Sequence, residues 1–147
     1  MTRKKNVTAD YNENTGTSFV SVESRWGRFT AYAQVAEQDL PIKNKWDGCK
    51  IAHYRCYIQE MEAKARALRE RAKGAEQVYN VMSWTNDYPA IDKIKRQVDN
   101  LYRQADEAKE CAENLKTNFP YFLDKLEKSR NEIRNKVKEM RKNGKQV

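Results

Sequence analysis

The chain has 147 residues, of which 39% are hydrophobic and 34% charged, with a mean hydropathy of −1.04 and a formal net charge of +8. That length suits about one domain, and so small an apolar share excludes a large compact core in favour of a narrow helical seam. No apolar run approaches the roughly 20 residues that cross a bilayer, and the basic, then polar, amino terminus does not read as a signal peptide, so a cytoplasmic protein without a membrane partner is expected.

Residues 1–17 are rich in Asn, Thr, Asp and Gly and read as a disordered basic and polar arm. Residues 18–43 read as a β-hairpin packed on the first helix. Phe19–Val22 and Arg28–Val35 are β-branched and aromatic, and Ser24-Arg25-Trp26-Gly27 supplies the turn between them. A lone hairpin is marginal in water and must lean on something. The segment Gln38–Asn44, with Pro41, closes this region.

From residue 44 onward, apolar residues recur at alternating spacings of three and four. Ile51, Tyr54, Ile58, Met61, Ala65 and Leu68 open the pattern, and Val98, Leu101, Ala105, Ala108 and Ala112 continue it. Such a stripe demands a partner helix and predicts an antiparallel coiled coil, either a helical hairpin or a three-helix bundle. The helices are placed at about 44–82, 88–117 and 119–142. Asn44 or Asp47 caps the first, and Asp87 with Pro89 starts the second. The division between the second and third rests on Pro120, since a proline inside a helix costs about 3 kcal/mol. The fold class is thus mainly α with a small N-terminal β-hairpin.

Charge is concentrated at the ends. Residues 121–147 carry nine Lys or Arg against four acids, and residues 1–10 carry three against one. Arg130, Arg134, Lys138, Arg141 and Lys145 fall on one face of the last helix, a stripe suited to phosphates or to an acidic partner. The plainer reading of that stripe is a solvated flank of a coiled coil, paired in part with Glu127 and Glu132.

Trp26, Tyr32, Trp84 and Tyr88 are candidates for a protein interface, because Trp and Tyr anchor interfaces. A Trp26-Phe29-Trp46 cluster holding the hairpin on the helix is the preferred reading of the aromatics around the hairpin. Cys49, His53 and Cys56 share a helix face and could offer three zinc positions, with Cys111 as a fourth. Without a C-x-x-C pair, packing beneath the hairpin is the preferred reading and no metal or other cofactor is expected. The three cysteines read as reduced thiols. A single His, with no glycine-rich phosphate loop and no G-x-S-x-G, points away from catalysis.

Ser24-Arg-Trp-Gly-Arg-Phe29, then Trp46-Asp-Gly-Cys-Lys-Ile-Ala52 and Arg55, resemble small coiled-coil proteins encoded by phages and integrative elements of Gram-positive bacteria. The resemblance spans residues 18–60 and implies a bacterial host cytosol. It brings no catalytic or binding residue, since the group has no established activity. The function expected is a non-enzymatic helical interaction protein that binds and inhibits or redirects a host protein or ribonucleoprotein, an anti-defence role. The alternatives are a nucleic-acid-binding or packaging protein using the basic last helix, and a structural homo-oligomer formed through the coiled coil.

Overall fold

The computed structural model describes residues 5–34, 45–142 and 144, with the side chains of Lys45 and Trp46 outside that description. Strands β1 (Asn6–Asn12), β2 (Thr17–Ser24) and β3 (Gly27–Gln34) form one antiparallel sheet in the order β1-β2-β3. Two long helices follow, α1 (Lys45–Met82) and α2 (Tyr88–Lys142). The protein is mainly α with a small three-stranded sheet. The expected closing segment Gln38–Asn44, the cap at Asn44 and Val35 lie outside the described residues.

The expectation of a disordered arm is corrected over residues 6–17. Asn6 through Asn12 pair in register with Glu23 through Thr17. The strand is polar but it alternates. Val7, Ala9 and Tyr11 stand opposite Val22, Val20 and Ser18 on one face, and Asn6, Thr8, Asp10 and Asn12 take the other. The turn has its own chemistry. Asn12 Oδ1 accepts hydrogen bonds from the N–H groups of Asn14 at 3.0 Å and Thr15 at 3.3 Å. Gly16 then donates to the Asn12 carbonyl at 2.8 Å from a φ of 69°, which glycine adopts without a Cβ clash.

The β2–β3 hairpin turns through Arg25 and Trp26, with Ser24 paired to Gly27 and Gly27 at a φ of 135°. One face of this hairpin is the core. Ser18, Val20, Val22, Ala31 and Ala33 are buried, and they close over Ala52 and Cys56 of α1, both fully buried. Phe29, Cys49 and Ile51 fill the margins. Apart from these aromatic and branched margins the facing residues are small, so the sheet lies close to the helix axis.

The two helices run antiparallel. Tyr54 packs near Leu115 to Phe122, Arg69 pairs with Asp106, and Tyr102 donates to Glu76 nearer the loop. Met61, Leu68 and Ala72 are buried on α1, as are Val98, Ala105, Ala108 and Ala112 on α2. The seam is therefore made within one chain. Among the described residues no helix is long and apolar enough to cross a membrane.

The division at Pro120 is also corrected: α2 is one helix of 55 residues with Pro120 inside it. Thr117, a potential cap for a new helix, turns its hydroxyl back to the Glu113 carbonyl at 3.0 Å, as helical threonines do. Pro120 sits on the exposed side, and Tyr54 stacks on residues flanking it, 5.1 Å from Phe119 and 4.8 Å from Phe122. The Tyr54 hydroxyl donates to the Leu115 carbonyl at 2.7 Å. One aromatic ring of α1 thus binds both sides of the proline and offsets the lost backbone bond.

Candidate interaction surfaces

The pairs Arg69–Asp106, Glu62–Lys116 and Tyr54–Phe119 set a register in which the start of α1 falls beside about residue 130 of α2. At 1.5 Å per residue the roughly 12 residues of α2 beyond it make about 18 Å of helix. The last buried residue of α2 is Ala112. Beyond it Leu126 and Val137 are half-buried, and Ile133 and Met140 are each 42% exposed, in a stripe spaced by seven, four and three.

The basic residues flank it. Arg130 and Arg134 are half-buried, Lys138 and Arg141 are exposed, and Lys145 lies outside the described residues. Arg134 bonds Glu127 at 3.2 Å and Asn131 at 2.8 Å, so part of the stripe is internally paired. Residues 123–142 hold eight Lys or Arg against four acids, a net +4. This projecting arm is amphipathic and cationic at once.

The opposite end of the molecule has the reverse character. Val78, Val81, Trp84 and Tyr88 are 50%, 68%, 90% and 67% exposed around the α1–α2 turn. The turn that carries Trp84 is fixed. Ser83 and Thr85 hydroxyls donate to the Asn80 and Met82 carbonyls, both at 2.7 Å, and Ala90 donates to Asp87 Oδ1, which caps α2. Trp84 and Tyr88, two of the aromatics singled out from sequence, are therefore brought together at one tip.

The other two aromatic candidates are not. Tyr32 is 62% exposed on the outer sheet face, with its ring 4.9 Å from the cross-strand Phe19. Trp26 is half-buried, Arg25 lies 4.5 Å from its ring, and Lys64 of α1 reaches to 5.8 Å. The third member of the expected Trp26-Phe29-Trp46 cluster, Trp46, has its side chain outside the described residues.

Cys49, His53 and Cys56 are likewise divided. Cys56 is fully buried, with Sγ 3.5 Å from the Val20 carbonyl and 3.6 Å from that of Phe29. Cys49 is half-buried against the same core, and His53 is exposed. Cys111 is on α2, where its thiol reaches the Tyr57 hydroxyl. Among the described residues no group of three or more His, Cys, Asp or Glu side chains is placed to hold a metal ion.

Two features escaped the sequence reading. Glu60 is only 5% exposed and meets Lys5 at 3.3 Å, while the Lys5 ammonium also lies 5.3 Å from the Tyr57 ring. No pattern of spacing signals this pair, 55 residues apart. The second is a shallow groove of about 320 Å³ between the helices, with Ala65 and Ala112 among its lining and Arg66, Arg69, Lys109 and Lys116 around it. It exists because alanines in the seam bring the backbones together without filling the space above them. Lys116 and Arg69 are held there by Glu62 and Asp106 at 3.4 and 2.9 Å.

No protein-family model matches the chain, and neither a curated protein nor a solved structure is similar to it. Four residues at the start of α1 serve the sheet–helix contact. Gly48 lies against Ser18, Cys49 and Ala52 pack under the hairpin, and Arg55 donates to the Tyr32 carbonyl. Gln59, one turn further on, donates to the Thr30 carbonyl at 3.2 Å. Arg55 and Gln59 together occupy carbonyls of the β3 edge, which blunts it against pairing with another strand.

Proposed function

We propose that this chain is a non-enzymatic interaction protein whose working surface is the projecting C-terminal arm of α2, held out by a hairpin of two coiled-coil helices. The Leu126–Ile133–Val137–Met140 stripe, half-buried at two positions and 42% exposed at Ile133 and Met140, carries this reading together with the cations that flank it. An exposed apolar stripe on a charged helix gains free energy only by finding a counterpart. The sheet braces the first turns of α1, and the Tyr54 cluster ties α2 to that braced region just before the arm departs. A protein or ribonucleoprotein partner with an acidic rim fits the arm. The narrower role of inhibiting or redirecting a host machine rests on the resemblance of residues 18–60 to phage and mobile-element proteins.

The second reading, contact with nucleic acid, is favoured by the eight cations of residues 123–142. One titration separates the two. Fluorescent single- and double-stranded RNA and DNA are titrated at about 50 and 200 mM salt, where several phosphate contacts cost about a thousandfold in affinity. Steeply salt-dependent binding that Lys138→Glu with Arg141→Glu removes supports the nucleic-acid reading. Negligible binding at low salt, together with photocrosslinks from Ile133 to a discrete protein and none from Thr8 on the outer sheet face, supports the protein-partner reading.

A further inference from the structure

We infer that one partner of the arm is the tip of a second copy of this chain, giving head-to-tail assembly; this rests on reading the arm as an interaction surface and names its occupant. The two ends of the molecule are complementary in charge. Residues 74–92, which form the tip, hold Glu76, Asp87 and Asp92 and no Lys or Arg, in a chain with 29 Lys and Arg. Residues 123–142, the arm, carry a net +4 from eight cations and four acids.

The helix ends add to this. The last turn of α1 has no basic residue, whereas α2 ends in Arg141 and Lys142. Both ends also expose apolar side chains at helical spacing. Val78 and Val81 lead to Trp84 at the tip, and Ile133, Val137 and Met140 line the arm. Gly74, one turn before Val78, has open space where a side chain would stand, so a helix can lie close along this side of α1.

Docking the arm of one protomer along Val78, Val81 and Trp84 of the next makes a three-helix layer at each junction and buries Trp84, which is 90% exposed. The alternative of two arms pairing with each other opposes +4 to +4 and is disfavoured by charge. Because tip and arm are different surfaces, the contact is heterologous and repeats along a filament or closes into a ring. Three acids against eight cations leave positive charge facing outward, where a further acidic partner still finds it.

The test uses the full chain with one end disabled at a time. A tip variant carries Val81→Lys and Trp84→Lys, and an arm variant carries Ile133→Glu and Met140→Glu. All four positions are at least 42% exposed, and thermal melting followed by circular dichroism checks that each variant folds like the parent. Light scattering coupled to size exclusion is expected to show the parent growing in mass with concentration and shrinking with salt. Each variant alone should lose roughly thirtyfold or more in association, the scale of an interface hot spot. Mixed together, the variants should form a 1:1 dimer, because each keeps the end that the other lacks. A mixture that stays monomeric overturns self-docking, as does self-association of either variant at the parent's level. Neither result touches the arm's binding to another protein or to nucleic acid, which the titration and crosslinking above read separately.

Discussion

Gly48 of α1 lies directly beneath Ser18 of β2, so close that a Cβ on the glycine would collide with Ser18 Oγ and stand 3.0 Å from Ser18 Cβ. The contact sets the distance between sheet and helix where α1 begins. It also buries the Ser18 hydroxyl without a hydrogen-bond partner.

Gly48→Ala is therefore expected to destabilise the protein even though alanine is the better helix former by about 1 kcal/mol. Overpacking against a buried strand costs about 1–3 kcal/mol and outweighs that gain. Ser18→Ala alone should be neutral or stabilising, because it removes an unsatisfied buried hydroxyl. The double variant should recover part of the Gly48→Ala loss, a coupling that a double-mutant cycle from urea denaturation measures. Additive losses would show that the two residues do not share the contact.

The three-four repeat made the helical pair legible in the sequence, because helix period and burial are both written in residue type. Strand β1 was not legible, since Asn, Thr and Asp dominate it and composition hid an alternation of Val7, Ala9 and Tyr11. The signal available was Asn12-Glu-Asn-Thr-Gly16, a hairpin turn with glycine at the left-handed position. Pro120 misled for a different reason. Its local cost is real, but Tyr54, 66 positions away in sequence, spans it through packing that only the fold creates. The tip aromatics Trp84 and Tyr88 were identifiable by type and position, whereas the charge contrast between tip and arm required knowing that α2 overruns α1.

Glu60 and Lys5 give a second prediction. Lys5 is the counter-charge that the structure gives this buried carboxylate, and its own side chain is 40% exposed. Lys5→Ala strands Glu60, and with the partial exposure of the pair the loss is about 1–2 kcal/mol. Glu60→Gln in the Lys5→Ala background should restore most of it, since an amide has no charge to strand. Chemical denaturation at pH 7 of the two single variants and the double variant decides this. Equal losses for Lys5→Ala with and without Glu60→Gln would mean that the pair carries no stability.

Pro120→Ala should stabilise α2. The residue is exposed, and alanine restores the missing backbone donor, so a gain of about 1–3 kcal/mol is expected. Tyr54→Phe tests the other half of the argument. It removes the hydrogen bond to Leu115 but keeps the stacking on Phe119 and Phe122, and should cost about 1 kcal/mol. Thermal melts of both variants, read against the parent, check the pair. A Pro120→Ala variant with a lower melting temperature would show that the proline's geometry is needed for the seam.

The final prediction concerns alkaline pH. Burial beneath the sheet pushes the Cys56 thiol above its ordinary value of 9.0, the Glu60 charge adds to this, and Lys5 opposes it. Burial also raises Tyr54 and Tyr57, with Cys111 contributing to both. Below about pH 8 these groups are protonated in folded and unfolded chains alike, and stability does not depend on them. Above it the unfolded chain ionises first, so the folded state loses stability as pH rises. Melting temperature should therefore fall from pH 8 to pH 10.5, and Cys56→Ala should flatten part of that slope whatever it costs at pH 7. The same burial orders the thiols kinetically. At pH 8 a disulfide reagent should modify the half-buried Cys49 and Cys111 first and reach Cys56 only on the timescale of unfolding. Three thiols reacting in one fast phase would mean that the sheet does not seal α1.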